Sequence, residues 1–207
     1  MEIALNQVSK RFNFNWIFKS VSMQISPSEP WVILGSNGSG KSTLLSIISG
    51  SALVSEGTVN WQISNQEVAE TEVYRHVSIA APYLDLIEDF TLSEHIDFHF
   101  SIKAPIGGLS SKDILGLTGL QKAKDKRISY FSSGMKQRLK LSLAILSDTP
   151  LLLLDEPLSN LDSKASEWYA NLMNTYSKDR SIVVCSNHQE KEYFFCKHEL
   201  NIEDFQK

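Results

Sequence analysis

Eight consecutive residues have the types and spacing needed to hold a polyphosphate. Gly35-Ser36-Asn37-Gly38-Ser39-Gly40-Lys41-Ser42 fits the pattern G-x-x-x-x-G-K-[ST]. Glycines let backbone N–H groups converge on phosphate oxygens. A helix starting near Lys41 adds the positive end of its dipole. Lys41 is a point charge for the β- and γ-phosphates, and the Ser42 hydroxyl is a ligand for Mg²⁺. Further on, Leu151-Leu152-Leu153-Leu154 runs straight into Asp155-Glu156. A buried strand delivers such acids to the carboxyl edge of a parallel sheet, where ligands bind in folds of this kind. Asp155 is expected to hold Mg²⁺ directly or through water. Glu156 is expected to point the other way, since side chains alternate along a strand, and to polarise an attacking water. The two segments together predict binding and hydrolysis of a nucleoside triphosphate.

These groups need a frame. Ile3 and Leu5, and then Val21, Met23 and Ile25, alternate with polar neighbours and predict strands. Trp31–Leu34 is continuously apolar, as in a strand buried on both faces, and leads into Gly35. Thr43–Ile48 has helix character and stops at Gly50, and a strand is expected at Thr58–Ile63. Thr91-Leu92-Ser93-Glu94 has the pattern of a capping box. Lys103–Ser111, with Pro105 and Gly107-Gly108, reads as a loop, and Lys112–Leu120 as a helix weakened by Gly116 and Gly119. Helices follow at Ser133–Leu146 and Ser163–Tyr176, and strands at Leu151–Leu154, Ser181–Cys185 and near Glu199–Ile202. Alternating strands and helices predict an α/β fold with a mostly parallel sheet. Tyr83–Tyr130 reads as a mainly helical insertion.

Composition narrows the functions. The chain has 207 residues, 42% hydrophobic and 21% charged, within the normal globular range. A formal charge of −4 gives no general attraction to nucleic acid or anionic lipid, so no direct nucleic-acid partner is expected. Cys185 and Cys196 are not spaced as a redox or metal pair and read as free thiols. The N-terminus lacks the basic start and apolar run of a signal peptide. Leu139–Leu154 is interrupted by Ser147–Pro150, short of the roughly 20 apolar residues of a membrane span. The chain is therefore expected to be soluble, with any membrane role supplied by a partner. His95 and His99, four residues apart, have no nearby cysteine and are expected to bind no metal. Lys122–Arg127 reads as a solvated loop and Tyr193-Phe194-Phe195 as core or partner contact.

Phe131-Ser132-Ser133-Gly134-Met135-Lys136-Gln137-Arg138 resembles the signature sequence of ABC transporter ATPases, usually Leu-Ser-Gly-Gly-Gln. Ser132, Gly134, Gln137 and Arg138 match, whereas Ser133 and Met135 depart. Ser159-Asn160-Leu161-Asp162 resembles the family's D-loop, and His188 falls where the family has its switch histidine. With the phosphate loop and acidic strand, the resemblance covers essentially the whole chain, in order. It implies a P-loop NTPase core at about 1–82 and 131–207, with an N-terminal antiparallel β subdomain and a helical subdomain at about 83–130, in one domain. It implies ATP and Mg²⁺ as cofactors. ATP would contact the phosphate loop from Gly35 to Thr43, and Phe12 would stack on adenine, with Trp16 as competitor. Ser42 and Asp155 would hold the metal, and Glu156 and His188 would be catalytic. Two copies would face each other, so that Ser132, Ser133, Gly134, Met135 and Asp162 of one complete the ATP site of the other.

The resemblance further implies a motor subunit on the cytoplasmic face of a membrane, driving a separate transmembrane permease. Tyr83–Ile87 is the candidate contact. Two other readings stay open at this point: a soluble ABC ATPase acting on nucleic acid or the ribosome, and a regulatory module without turnover. One departure stands out. The family usually carries a glutamine after the strand that follows the first subdomain, and Pro82 occupies that position. Proline has no side-chain oxygen for Mg²⁺, so water or another group must take its place.

Overall fold

The computed structural model describes residues 1–206. A hairpin of β1 (Glu2–Phe12) and β2 (Asn15–Ile25) leads to β3 (Trp31–Leu34), the phosphate loop and α1 (Lys41–Ile48). Next come β4 (Glu56–Ile63), β5 (Gln66–Val68) and β6 (Val77–Ala80). α2 (Leu92–Ile102) and α3 (Ser111–Thr118) form the insertion, with short 3₁₀ turns around them. α4 (Ser133–Ile145), β7 (Leu151–Asp155), α5 (Ser163–Tyr176), β8 (Ser181–Ser186) and β9 (His198–Asn201) complete the core.

The strands form two sheets. One is antiparallel in the order β2-β1-β4-β5, and the other runs β6-β7-β8-β3-β9 with every pairing parallel. The fold expectation of an α/β core with an antiparallel subdomain and a helical insertion is met. β7 and β8 are buried along their whole length, because elements cover both faces of the parallel sheet. Their alternate residues feed two separate cores. Leu152, Leu154, Ile182 and Val184 join residues of α2 to α5. Leu151, Leu153, Val183 and Cys185 join α1 and the antiparallel sheet. Each buried leucine contributes about 1.5–3 kcal/mol, so Leu151–Leu154 bolts the two layers together.

Local chemistry explains several boundaries. α2 starts where the capping box predicts: the Thr91 hydroxyl accepts from the Glu94 N–H, and the Glu94 carboxylate accepts from the Thr91 N–H. α3 begins at Ser111, inside the segment read as loop, because Ser110 and Asp113 form a second capping box. β5 was not anticipated. It is three residues long and turns back on β4 through Ser64 and Asn65, both at positive φ, a two-residue hairpin turn. β9 ends at Asn201, one residue early, and Ile202–Phe205 forms a 3₁₀ turn instead.

Arg180, before β8, is 5% exposed and has no carboxylate within salt-bridge distance among the described residues. Its guanidinium donates to the Ile145 carbonyl and to the hydroxyls of Ser78 and Thr149, each at 2.8 Å. It therefore ties α4, β6 and the start of β7 together at the edge opposite the phosphate loop. Arg180→Met should lower the unfolding free energy in urea by about 2–3 kcal/mol, because buried acceptors lose their partner.

Candidate active site

The carboxyl edge of the parallel sheet gathers the loops after β3, β7 and β8. β8 lies between the other two, so the phosphate loop and Asp155-Glu156 flank it, and His188 follows from its end. Gly40 caps α1 with φ 104°, and a Cβ there would come within 2.6 Å of the Ile17 side chain. Only glycine lets the loop lie this close to β2 in this conformation. Lys41 is 4% exposed, and its ammonium donates to the Gly35 carbonyl at 2.8 Å and the Ser36 carbonyl at 2.9 Å. The loop is thus wrapped around its own lysine. Glu156 Oε1 stands 3.8 Å from the same ammonium.

Ser42 Oγ donates to Asp155 Oδ2 at 2.6 Å. Burial pushes the Asp155 carboxyl above its usual range, while the Ser42 hydrogen bond and the Lys41 charge oppose that rise. Glu156 corrects one expectation. β7 ends at Asp155, and Glu156 has φ 45°, so strand alternation no longer governs its direction. Its N–H donates to the Cys185 carbonyl at 2.9 Å, and its carboxylate turns back toward Lys41 rather than away from Asp155's neighbourhood. Glu156 therefore lines a cleft of about 230 Å³ with Ile17, Asn37, Gly38, Lys41 and Ser42 among others, and the buried Asp155 is tied to it through Ser42. The oxygens of Ser42 and Asp155 suit a hard cation such as Mg²⁺. That ion usually takes one or two protein ligands and fills its octahedron with phosphate and water. No cluster of three acid, histidine or cysteine ligands occurs among the described residues, so a protein-only metal cage is not offered.

The signature and D-loop residues meet elsewhere. Ser132, Ser133, Gly134 and Met135 line an open groove of about 380 Å³ together with Asn160 and Asp162. Ser132 caps α4 by accepting from the Met135 N–H, and Asp162 caps α5 by accepting from the Ala165 N–H at 2.8 Å. A Cβ on Gly134 would stand 3.0 Å from the Asn160 carbonyl, which explains a small residue there. Gln137 is buried and donates to the Pro157 carbonyl at 2.9 Å, linking the signature helix to the segment after Glu156.

His188 is exposed at φ 57°. Phe12 ends β1, is half exposed, and lies under the Lys10 ammonium at 5.0 Å. Trp16 is partly buried beneath Arg11 and Lys19. Neither aromatic lines the phosphate cleft, whereas Ile17 does. His95 and His99 are held by the Ile87 N–H and the Ser147 hydroxyl, and burial lowers His99 to about 4.

A sequence model of the ABC transporter family matches residues 18–159. The chain belongs to the ABC transporter family. It is 29% identical to the cytochrome c biogenesis ATP-binding export protein CcmA of Rhizobium johnstonii, over 91% of this chain and 89% of that one. It is 26% identical to the Nod factor export ATP-binding protein I of Burkholderia lata, over 99% of this chain and 69% of that one. Similar solved structures include a putative ABC transporter ATP-binding protein from Pyrococcus furiosus, with TM-score 0.83, 16% identity and full coverage of both chains. The bacterial cassette MJ0796, solved as a dimer, has TM-score 0.80 and 24% identity over 97% of this chain and 95% of that one. These structural likenesses show the fold.

This ABC ATPase also places residues at the site that sequence patterns did not single out. Glu203, in the last 3₁₀ turn, accepts from the Ser36 N–H at 2.9 Å and from its hydroxyl at 2.6 Å, and Gln206 donates to the Ser39 carbonyl at 2.9 Å. Their contacts span 167 residues of sequence, beyond any local periodicity. Glu192 is fully buried. One oxygen accepts from the Leu158 N–H at 3.0 Å, in the D-loop segment, and the other from the Ser186 hydroxyl at the end of β8. Its position four residues after His188 was the available signal.

Burial raises the Glu192 carboxyl above its ordinary value of 4.5, against the pull of Ser186 and the Leu158 N–H. An acid whose folded pKa exceeds its unfolded one takes up a proton on folding. Its contribution to stability is full below about 4.5 and fades as pH rises through the folded value. Glu192→Gln cannot titrate, so its unfolding free energy should fall less steeply than the parent's between pH 4.5 and neutrality. Urea titrations across that range check this, and a steeper fall in the variant would contradict it.

Proposed function

We propose that this chain is the motor of an ABC transporter, binding Mg²⁺-ATP between two copies and hydrolysing it to drive a separate transmembrane permease. The observation that carries this reading is the separation of two complementary anion-binding features. Lys41, Ser42 and Glu156 line one small cleft, with Asp155 buried and hydrogen-bonded to Ser42, while the N-terminus of α4 opens on another groove with the D-loop. The cleft of about 230 Å³ is smaller than the ~300–1,000 Å³ of a complete small-molecule pocket. A second copy supplies the remaining wall, with Ser132 and the Gly134 backbone over the γ-phosphate and the dipole of α4 aimed at it. MJ0796, solved as a dimer, and its post-hydrolysis form bound to ADP and Pi support this arrangement.

In this mechanism the Lys41 ammonium exchanges its loop carbonyls for phosphate oxygens. Ser42 and Asp155 would hold Mg²⁺, which would supply positive charge against the charge that develops on the phosphates in transfer. Glu156 orients and polarises the attacking water, and His188 contacts the γ-phosphate and that water. Phe12 and the Trp16 face are the candidates for adenine. Glu156→Gln should bind ATP and dimerise, yet turn over roughly 100-fold slower or worse. Lys41→Ala should lose ATP binding. Light scattering for dimerisation and phosphate release for turnover check both, and a fully active Glu156→Gln would remove that residue from the mechanism.

No helix among the described residues is long and apolar enough to cross a membrane. The permease is therefore proposed as another polypeptide, with this subunit on its cytoplasmic face. The names of the relatives in cytochrome c biogenesis and Nod factor export support an export role. A cleft of about 370 Å³ between β6, α2 and α4 is lined by Ile79, Ala80, Leu84, Leu86 and Leu143. Beside it Leu84 and Ile87 are exposed, a small apolar patch suited to a docking element. Leu84→Asp should abolish co-purification with the transmembrane permease while leaving the ATPase activity of the isolated subunit within about two-fold. Retained co-purification would exclude this surface.

A further inference from the structure

One peptide group just after Glu156 is held from two directions. The Glu156 carbonyl accepts from the Ser159 N–H at 3.0 Å, so residues 156–159 form a turn with Pro157 and Leu158 at its centre. Such a turn leaves the C=O and N–H of its central peptide without partners of their own. Pro157 and Leu158 are buried, so both groups must find partners elsewhere. The Pro157 carbonyl accepts from the Gln137 amide at 2.9 Å. The Leu158 N–H donates to Glu192 Oε1 at 3.0 Å. In a planar trans peptide these two groups point in opposite directions. Gln137, from the signature helix α4, and Glu192, from the segment after β8, therefore grip one rigid plane from opposite sides.

Both gripping side chains are buried. Glu192 also reaches the next loop. Its other oxygen accepts from the Ser186 hydroxyl, and the Ser186 oxygen accepts from the Gln189 N–H at 3.1 Å. His188 lies inside that closed loop, between Ser186 and Gln189. The Glu192 backbone is fixed in turn, because its carbonyl accepts from the Tyr169 hydroxyl of α5 at 2.8 Å. A continuous chain of hydrogen bonds thus runs from Gln137, through the peptide between Pro157 and Leu158, to Glu192 and the loop that carries His188. Gln137, Leu158, Ser186 and Glu192 all stand outside the lining of the phosphate cleft, which Glu156 enters.

We infer that this peptide is a joint that makes the signature helix and the His188 loop move together, with Gln137 and Glu192 as its positioning residues. This rests on the two-copy Mg²⁺-ATP reading above. In that reading the N-terminus of α4 faces the nucleotide held by the partner copy, and His188 faces the nucleotide of its own copy. A planar amide with a buried partner at each end cannot follow one partner and release the other, because the group left behind would be buried and unpaired. The joint therefore lets occupancy of one ATP site set the placement of Glu156 and His188 in the other.

The test is a cycle of two variants and their combination. Gln137→Met removes the donor to Pro157, and Ser186→Ala removes the hydroxyl on Glu192. The two side chains have no hydrogen-bond partner in common, so independent effects would multiply. Each single variant should lower kcat for phosphate release roughly five-fold, with the KM for ATP within about two-fold. The double variant should stay near the same loss, since either cut already opens the joint. A combined loss of about 25-fold, or an unchanged kcat in either single variant, overturns the inference. Gln137→Leu replaces the methionine variant if that one folds poorly. Amide exchange read by mass spectrometry adds an arm that needs no turnover. Gln137→Met should speed exchange across residues 186–192 as well as at Leu158. Faster exchange confined to Leu158, or none, overturns the joint. A parent protein that binds ATP and releases no phosphate defeats the motor reading instead, and the exchange arm still decides the joint.

Discussion

The Lys41 ammonium is almost wholly removed from water, yet its nearest carboxylate stands 3.8 Å away and its close partners are two carbonyls of its own loop. A buried cation must be paired or hydrogen-bonded to persist. Here the phosphate loop itself supplies the bonds, which fixes the loop's curvature before any ligand arrives. Everything around the site serves this arrangement. Gly40 lets the loop approach Ile17, β3 anchors its start between β8 and β9, and Glu203 and Gln206 brace its outer side from the other end of the chain. Phosphate oxygens can take over the ammonium's bonds without rebuilding the loop, which is the meaning of preorganisation at such a site.

The acids are placed by a different constraint. Leu151–Leu154 is buried on both faces and shared by two cores, so β7 has no freedom to slip. A slip of one residue would exchange the two leucine sets between cores and reverse the side on which Asp155 emerges. The strand ends in a residue with positive φ, Glu156, whose N–H is held by the Cys185 carbonyl. Two neighbouring carboxylates are then held apart, one on Ser42 and the other near Lys41. Glu192 extends the same rigidity to the next loop by joining Leu158 to Ser186 beneath the surface.

The insertion packs Leu92, Ile96, Ile114 and Ile128 into the core it shares with α4, and ammonium contacts from α4 add polar ties at its edge. Lys140 grips the carbonyls of Ala81 and Pro82, and Lys136 pairs with Glu88. Both cross from the signature helix to the segment that links core and insertion. Polar ties at a partly exposed seam are individually modest, near 1 kcal/mol or less.

The amino-acid sequence by itself determined the chemistry along the chain. The phosphate loop, the acid pair, the capping boxes and the buried strands depend on residues adjacent or a few positions apart, where backbone geometry dictates the consequence. Only the tertiary structure decided that Glu156 turns toward Lys41, that Lys140 holds the Ala81 and Pro82 carbonyls, that Glu192 bridges two loops and that Glu203 braces Ser36. Each depends on a backbone angle beyond a strand end or on segments brought together over tens of residues or more. No periodicity records such contacts, because the parallel sheet that creates them orders its strands β6-β7-β8-β3-β9 and not as the chain does.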